Sequence, residues 1–350
     1  MIGLPGPELD EPSARLLNDI KPGGICLFAR NIRSSTQVRE LTDAIRDVSV
    51  VPPMIAIDQE GGTVDRLKRI ITPLAAAASI QHIEEASDMG RLVGRVLRLL
   101  GINLDFAPVV DVVSGERSGS SNGLFTRPFP GDAASVKALA FAFYQGLRSQ
   151  GVAGCLKHFP GLGAARVDSH EELPLIDIDE AELRAVDLLP YSAWFEEEMP
   201  TAVMIAHAAY NGTSLQEIGQ NGKLLPSSLS RRFVDGLLRS ELGFEGVSIT
   251  DDLEMGAVVR NFGIDEASIL AIEAGNDLLA ICAGENNIRA AHSAVMDAVS
   301  SGRIEPERLD RSLERLRALH GSLEPPATFD IAEIGVISEE IARFNARLKT

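Results

Sequence analysis

The side chains best suited to chemistry lie on one short segment of the chain, from Lys157 to His170. This segment holds two imidazoles, two cationic side chains and a carboxylate, and its Gly and Pro residues predict a loop. It ends in Asp168-Ser169-His170. In a loop, a carboxylate two residues before an imidazole can bend back and accept one ring N–H. That contact would fix the tautomer of His170 and leave its second nitrogen free for proton transfer. A surface loop with incidental polar residues is the alternative interpretation.

Further polar residues occur where predicted strands end. They are Asp58, Glu60 and Arg66 after Met54–Ile57, Asp105 and Asp111 within Leu104–Val113, Arg127 in the loop that follows, Lys157 and His158 after Val152–Leu156, His207 after Ala202–Ala206, and Asp251 and Asp252 after Val247–Thr250. The carboxyl ends of parallel strands meet at one face, where the active site of an α/β barrel lies. Five clusters at such ends predict a catalytic or binding site.

Each of these clusters also has a structural interpretation when it is taken alone. Asp58 or Asp111 could cap a helix, and His207 could be a hydrogen-bonded core histidine. Asp251 and Asp252 could be a pair at a helix N-terminus. The repetition of such clusters at successive strand ends favours the functional interpretation.

Apolar strands and amphipathic helices alternate along the chain. The predicted strands are Gly24–Phe28, Met54–Ile57, Leu104–Val113, Val152–Leu156, Ala202–Ile205, Val247–Thr250 and Asp277–Ile281. Helical stripes lie between them, one of them acidic over residues 179–198. The pattern predicts an α/β fold with a parallel sheet that is buried on both faces. About eight such units favour a single (β/α)₈ TIM-type barrel, and no GxGxxG motif follows an early strand to indicate a Rossmann domain.

The chain reads as one domain with a short extension. The predicted barrel covers residues 1–321, because no Pro/Ser-rich linker or change of composition interrupts it. Residues 322–350 open near Glu324-Pro325-Pro326 and end in a predicted short helix. This C-terminal extension is expected to pack on the barrel.

Composition restricts the partners of the protein. The 350 residues carry a formal net charge of −17 and are 45% hydrophobic. An acidic surface repels phosphate backbones and anionic headgroups, so neither nucleic-acid binding nor membrane binding is expected. Three cysteines without CxxC spacing indicate buried thiols in a reducing compartment. The first residues lack the features of a signal peptide, which favours a cytoplasmic protein. The oligomeric state stays open, with a monomer favoured.

Several sequence blocks identify the chain as similar to a known family. They are Leu27-Phe28-Ala29-Arg30-Asn31, Ile57-Asp58-Gln59-Glu60-Gly61-Gly62, Asn103-Leu104-Asp105-Phe106-Ala107-Pro108-Val109-Val110-Asp111-Val112, Lys157-His158-Phe159-Pro160-Gly161, Val167-Asp168-Ser169-His170 and Ile249-Thr250-Asp251-Asp252-Leu253. In this order they resemble the β-N-acetylhexosaminidases of glycoside hydrolase family 3, of the short single-domain bacterial type that trims peptidoglycan fragments. The resemblance covers nearly the whole chain.

The resemblance implies a retaining β-N-acetylglucosaminidase without a metal or other cofactor. By motif match Asp251, at the end of the sixth predicted strand, resembles the family's nucleophile. His170 resembles its acid/base, oriented by Asp168. The residues that resemble the family's sugar-binding set are Asp58, Arg66, Arg127, Lys157 and His158. An imidazole titrates near neutral pH, so it is suited to act first as acid and then as base.

The implied substrate is a terminal β-linked N-acetylglucosamine on a peptidoglycan fragment such as an anhydro-muramic acid or muropeptide. Because the chain is acidic, local cations would have to attract an anionic fragment, and Arg30, Arg66, Arg127 and Lys157 are the candidates.

The chain departs from the family pattern in two places. The mobile loop carries Leu162, Ala164 and Ala165 where the family usually has His and Asp-Thr, and Thr63 stands where it usually has a long side chain. The first departure removes polar groups from the loop and puts its closure and leaving-group preference in doubt.

Four alternatives remain. A β-glucosidase or β-xylosidase of the family commonly has a second α/β domain and lacks the Asp-Ser-His loop. A phosphorylase shares that loop and would be separated by product analysis with and without phosphate. A non-catalytic sugar-binding relative would not need Asp251, Asp168 and His170. A metal enzyme could use His158, His170, His207 and Asp168, but HExxH-like spacing is lacking.

Overall fold

Eight parallel strands form a nearly closed barrel. The computed structural model describes residues 1–113, 115–117, 122–169 and 171–348. The strands are β1 (Ile2–Gly3), β2 (Gly24–Leu27), β3 (Met54–Ile57), β4 (Leu104–Asp105), β5 (Ala153–Phe159), β6 (Ala202–Ile205), β7 (Val247–Asp252) and β8 (Leu278–Ala280). They follow one another in the sheet in chain order. A parallel bridge between Ile2 and Ile281 brings the last strand back to the first. The predicted single (β/α)₈ barrel is therefore confirmed.

Helices surround the strands. They are α1 (Glu11–Ile20), α2 (Ser35–Val48), α3 (Ile83–Leu99), α4 (Ala133–Arg148), α5 (Leu189–Glu197), the π-helical α6 (Arg232–Glu241), α7 (Gly256–Phe262), α8 (Ile264–Ala274), α9 (Glu285–Ser300), α10 (Pro306–Ser322) and α11 (Ile331–Arg347). Side-chain oxygens of Asp10, Ser34 and Asp132 accept backbone N–H groups at the starts of α1, α2 and α4. Each such cap satisfies one N–H that has no partner inside its helix. No helix of the described residues is long and apolar enough to span a membrane.

Alternation along the strands separates two apolar layers. Ile55 and Ile57 of β3 pack in the layer between the barrel and its helices. Met54 and Ala56 of the same strand pack in the barrel interior, as do Ala153 and Cys155 of β5 and Val247 and Ile249 of β7. Because successive side chains point to opposite faces, the next position in each interior series is Asp58, Lys157 or Asp251. The same alternation that fills the barrel thus brings Asp58 and Lys157 together at its mouth, and Asp251 lies at the carboxyl end of β7, where the register shifts.

Two predicted elements are shorter in the structure than in the sequence pattern. The predicted strand Leu104–Val113 ends at Asp105. Pro108, which has no backbone N–H, interrupts the regular pairing, although Val109 still bridges Lys157 of β5. The predicted acidic helix over residues 179–198 is divided. A turn at Glu180–Glu182 and a π-helical turn at Leu183–Asp187 precede α5, which has Pro190 in its first turn.

The last helix packs against the outside of the barrel. Its apolar face consists of Ile334, Ile337, Ile341 and Phe344, all buried in the layer outside the strands. Ser338 Oγ accepts the Thr72 backbone N–H at 2.8 Å. These contacts attach the extension to the segment before α3. The division of the chain at residue 322 stays a proposal.

Candidate active site

Five charged side chains form one network at the carboxyl end of the barrel. Lys157 Nζ lies 2.7 Å from Asp58 Oδ1 and 2.6 Å from Glu60 Oε1. Arg127 donates to both oxygens of Glu60 at 2.8 and 3.0 Å, and Arg66 Nη2 lies 3.3 Å from Asp58 Oδ2. The structure therefore brings together four of the predicted sugar-binding residues, Asp58, Arg66, Arg127 and Lys157, from three different loops and strands.

Glu60 is a member of this network that the motif match did not select. It is buried and pairs with both Lys157 and Arg127, so it neutralises charge that Asp58 alone would not balance. The signal in the sequence was its position two residues after Asp58, which returns a side chain to the same face of an extended segment. Its partner Arg127 lies 67 residues further along the chain.

The charges in this network stabilise one another. Burial opposes ionisation of Asp58 most strongly, but the neighbouring Lys157 ammonium and Arg66 guanidinium hold the pKa of Asp58 well below its usual range. Lys157 and Arg127 likewise lower the pKa of Glu60. Burial acts against the charged form of Lys157, and Asp58 and Glu60 overcome it and raise the pKa of Lys157. All three groups are therefore charged at neutral pH.

His158 is held from both sides. Its Nδ1 lies 2.7 Å from Asp111 Oδ2, and its Nε2 lies 3.2 Å from Arg127 Nη2. A guanidinium can only donate, so Nε2 accepts and Nδ1 carries the ring proton that Asp111 accepts. The other oxygen of Asp111 accepts the backbone N–H of Leu162 at 2.7 Å. His158 is therefore a neutral imidazole that orients Arg127, and Asp111 fixes both this ring and the start of the following loop.

Asp105 lies beneath the network in a fully buried position. Its Oδ1 accepts the backbone N–H of Gln59 at 2.9 Å, while its Oδ2 has no hydrogen-bond partner among the residues that the structure describes. Burial raises the pKa of Asp105 to about 8, with the carboxylates of Asp58 and Glu60 acting in the same direction. The protonated acid therefore predominates at neutral pH and supports the segment that carries Asp58 and Glu60.

The two adjacent aspartates at the end of β7 have different surroundings. Burial, followed by the charges of Glu254 and Asp251, raises the pKa of Asp252 to about 7. The Asp252 carboxyl accepts the backbone N–H of Glu254 at 3.1 Å, in the turn that leads to α7. The alternation of β7 is regular up to Ile249, and a register shift lies between Ile249 and Asp252. Burial raises the pKa of the Cys155 thiol in the barrel interior, and Asp251 is among the carboxylates that act in the same direction. Asp251 as the nucleophile at the barrel mouth stays a prediction. Because β1 was not predicted, the strand that ends here is the seventh and not the sixth.

His207 is a hydrogen-bonded histidine at the end of β6. Its Nε2 lies 3.1 Å from the backbone oxygen of Asp252, and its Nδ1 lies 2.7 Å from Ser228 Oγ. A carbonyl oxygen only accepts, so Nε2 carries the proton and Nδ1 accepts from Ser228. The ring thereby links β6 to the turn after Asp251. Among the residues that the structure describes, no group of three His, Cys, Asp or Glu side chains is arranged to hold a metal ion.

The loop that follows β5 is packed against its surroundings. Leu162 and Ala165 are buried in the apolar layer outside the strands, and Ala164 packs partly buried against it. The backbone oxygen of Ser169 accepts the N–H of Ala257 at 3.3 Å, at the start of α7. The loop thus reaches the segment that follows Asp251. Thr63 is exposed on the short hairpin after β3.

The predicted dyad is described in part. Asp168 is half-buried, and the N–H groups of Glu171 and Glu172 both donate to its backbone oxygen. A Cβ on Gly123 would lie 2.5 Å from Asp168 Oδ2, so the carboxylate packs directly over that glycine. His170 lies outside the described residues.

The chain is similar to proteins of one class. The glycosyl hydrolase family 3 N-terminal domain matches residues 4–319. β-Hexosaminidase A of Pseudoalteromonas piscicida is 32% identical over 99% of this chain and 60% of its own length, and β-hexosaminidase of Alkalilimnicola ehrlichii is 34% identical over 81% and 80%. A solved family 3 β-N-acetylglucosaminidase from Paenibacillus sp. is 33% identical with a TM-score of 0.87, over 98% of this chain and 66% of that one.

Because the family model matches residues 4–319, which is most of the chain, the chain belongs to glycosyl hydrolase family 3. The predicted family is confirmed. The chain spans 60% of the length of the Pseudoalteromonas protein and 66% of the Paenibacillus one, so both are longer than this chain.

Proposed function

We propose that the protein is a retaining β-N-acetylglucosaminidase. The observation that carries this proposal is the juxtaposition at one barrel mouth of the Asp58–Glu60–Lys157–Arg127 network with the end of β7, where Asp251 lies. A network of charged donors and acceptors is suited to the hydroxyls of one sugar ring, which both donate and accept hydrogen bonds. The names of the Paenibacillus and Alkalilimnicola relatives support N-acetylhexosamine as that sugar.

The reaction proceeds in two steps. In the first, a carboxylate oxygen of Asp251 attacks the anomeric carbon while His170 transfers its proton to the departing glycosidic oxygen, which leaves as an alcohol. In the second, water attacks the anomeric carbon of the glycosyl-enzyme, gives its proton to His170, and releases the Asp251 carboxylate. Two inversions return the original anomeric configuration. Asp168 orients the imidazole and stabilises its protonated form.

The network gives each of its members a separate task. Asp58 stays ionised and accepts from sugar hydroxyls, because Lys157 and Arg66 lower its pKa. Arg127 keeps one face toward Glu60 and His158, and this contact holds its remaining donors in place for the substrate. His158 positions Arg127 rather than donating to the sugar through Nε2, since that nitrogen accepts from the guanidinium.

We further propose a peptidoglycan fragment as substrate and the cytoplasm as the site of action. The buried, free thiols of Cys26, Cys155 and Cys282 are consistent with a reducing compartment. Of the four cations that could attract an anionic fragment, Arg30 is committed to structure. It donates to the backbone oxygens of Leu4 and Cys282 and stacks on Phe28. Attraction of the fragment therefore depends on the cations Arg66, Arg127 and Lys157.

Two assays test the proposal. Release of an aryl group from the β-N-acetylglucosaminide should exceed release from the β-glucoside, and equal efficiency would remove the acetamido assignment. Proton NMR of the first-formed product should show the β-anomer before mutarotation, whereas an initial α-anomer would exclude retention. Formation of a sugar phosphate when inorganic phosphate is added would instead identify a phosphorylase.

A further inference from the structure

One aromatic side chain is displayed at the barrel mouth in an unusual backbone conformation. Phe125 has φ of 45°, and among the described residues Lys21 is the other non-glycine residue with positive φ. Positive φ is a genuine outlier for a bulky side chain and costs free energy that surrounding contacts must offset. Phe125 is also 72% exposed, while every other Phe, Tyr and Trp of the chain is buried or half-buried.

The surrounding contacts fix this conformation. The Arg127 backbone N–H donates to the Leu124 oxygen at 2.8 Å and closes a tight turn that has Phe125 at its second position. Leu124 is buried and its N–H donates to Asn122 Oδ1, while the Thr126 oxygen accepts from Ala78. Positive φ at the second position of a turn is normally supplied by Gly, Asn or Asp. Here it directs a large apolar ring into solvent.

The turn lies between the sugar-binding network and the loop that carries the predicted acid/base. On one side, Arg127 pairs with Glu60. On the other, Asn122 Nδ2 donates to the Gly163 oxygen at 3.4 Å, and Gly123 lies against the Asp168 carboxylate. A proton donor must stand beside the departing oxygen, so the Asp168 side of the pocket is the leaving-group side. Phe125 thus borders the space that the leaving group occupies.

From this placement we propose that Phe125 is a stacking platform for the sugar ring on the leaving-group side of the scissile bond. The proposal deepens the proposed function and rests on it. The face of an aromatic ring carries partial negative charge and attracts the C–H groups of a sugar face. An exposed, rigidly held ring loses little conformational freedom on binding. The residue would therefore favour a disaccharide-like substrate over one whose leaving group has no ring.

The test compares two substrates that share the terminal sugar. One is the β-1,4-linked disaccharide of N-acetylglucosamine, and the other is the β-glycosyl azide of N-acetylglucosamine, whose leaving group has no ring. Phe125→Gly removes the platform and relieves the backbone. We expect the disaccharide-to-azide ratio of kcat/KM to fall about threefold to tenfold, the range measured for aromatic contacts. Phe125→Tyr keeps the ring and should keep the ratio within about twofold.

Lys21→Gly is the matched control, because it relieves the other positive φ at the end of α1, outside the network and its loops. It should leave the ratio unchanged. The Tm of Phe125→Gly should not fall below that of the native protein, since glycine accepts positive φ. An unchanged ratio, or an equal loss on both substrates, would overturn the platform. A native protein that cleaves neither substrate would refute the proposed function itself.

Discussion

Removing the ammonium of Lys157 should destabilise the protein strongly, in spite of the similar size of the replacement. In Lys157→Met the side chain stays unbranched and is only one heavy atom shorter, but Asp58 and Glu60 lose the cation that lies within 2.7 Å of both. Lys157 is 1% exposed, so water does not replace it. Loss of one partner from a buried ion pair typically costs about 3–5 kcal/mol, because the remaining charge stays buried.

This cost converts to a shift that calorimetry resolves. Unfolding entropy is about 2.1 cal/mol/K per residue near 60 °C, which for 350 residues gives about 0.7 kcal/mol/K. A loss of about 3–5 kcal/mol then lowers Tm by about 4–7 °C. Arg66 and Arg127 stay in place and keep part of the compensation, so the lower end of this range is expected.

The pH dependence identifies the cause. In the native protein the pKa values of Asp58 and Glu60 lie below their ordinary values of 3.8 and 4.5. Such groups contribute stability above those ordinary values, and the contribution is lost as the pH falls through the native pKa. The variant lacks much of this contribution. The difference in Tm between native and variant protein should therefore be large at pH 7.5 and still present at pH 4, and it should shrink as the pH falls further to about 2, where the native carboxyls begin to take up protons.

Differential scanning calorimetry at pH 7.5 and at about pH 2 measures both effects. Lys68→Met, at an exposed lysine, controls for the loss of one positive charge from an acidic protein. A fall in Tm of less than about 1 °C at pH 7.5, or a difference that stays the same at about pH 2, would refute the reasoning. Lys157 would then not be the group that holds these carboxylates ionised.

Three other predictions concern the two aspartates at the end of β7, the predicted acid/base dyad, and Asp105. Asp251→Asn should lower kcat about 10³-fold or more while Asp252→Asn is milder, and the reverse ranking in steady-state assays would reassign the nucleophile. His170→Ala should lower the rate of cleavage more for substrates with poor leaving groups than for those with activated aryl groups, and Asp168→Ala should show the same pattern more weakly. If His170→Ala slowed both kinds of substrate by the same factor, His170 would be a binding residue. Burial raises the native pKa of Asp105 to about 8, so between about pH 4 and 8 the folded state holds a proton that the unfolded state releases, and the stability of the native protein falls as the pH rises through this interval. Asp105→Asn should therefore gain Tm relative to the native protein over that interval, and a constant difference would contradict protonation of Asp105.

Periodicity and strand ends predicted the part of the site that the barrel itself positions. Asp58 and Lys157 each continue an interior series of apolar residues, and alternation along a strand is visible in sequence. Asp251 follows a similar series in β7, although the register shifts there before Asp252. The network between Asp58, Lys157 and Arg66 follows from that placement.

Features that depend on contacts between distant residues were not predictable. β1 has only two residues, Ile2 and Gly3, and is a strand because β2 and the end of β8 lie on either side of it. The pairing of Glu60 with Arg127 joins two residues that are 67 positions apart in the chain. Leu104–Val113 was predicted too long because its apolar residues continue past Asp105, while the regular pairing does not.

Two glycines of the loop after β5 show the same limit of prediction from sequence. In the sequence, Gly161 and Gly163 contribute to the prediction of a loop between Lys157 and His170. In the structure a Cβ on Gly163 would lie 2.0 Å from the Val112 oxygen, and one on Gly161 would lie 2.7 Å from Asp187 Cβ. Both glycines therefore permit close packing of the loop on neighbouring segments. Sequence shows that a position lacks a side chain but not which atoms approach it.

Trapping the glycosyl-enzyme tests the central claim most directly. A fluorinated N-acetylglucosaminyl donor with an activated leaving group should form a long-lived ester. The activated leaving group permits formation of the ester, while ring fluorine slows its hydrolysis by destabilising the positive charge that develops in that step. Mass spectrometry of the digested protein should then place the sugar on the peptide that contains Asp251, and fragmentation should assign it to that residue. Complete turnover without adduct, or an adduct on Asp252 or any other residue, would contradict a retaining mechanism with Asp251 as nucleophile.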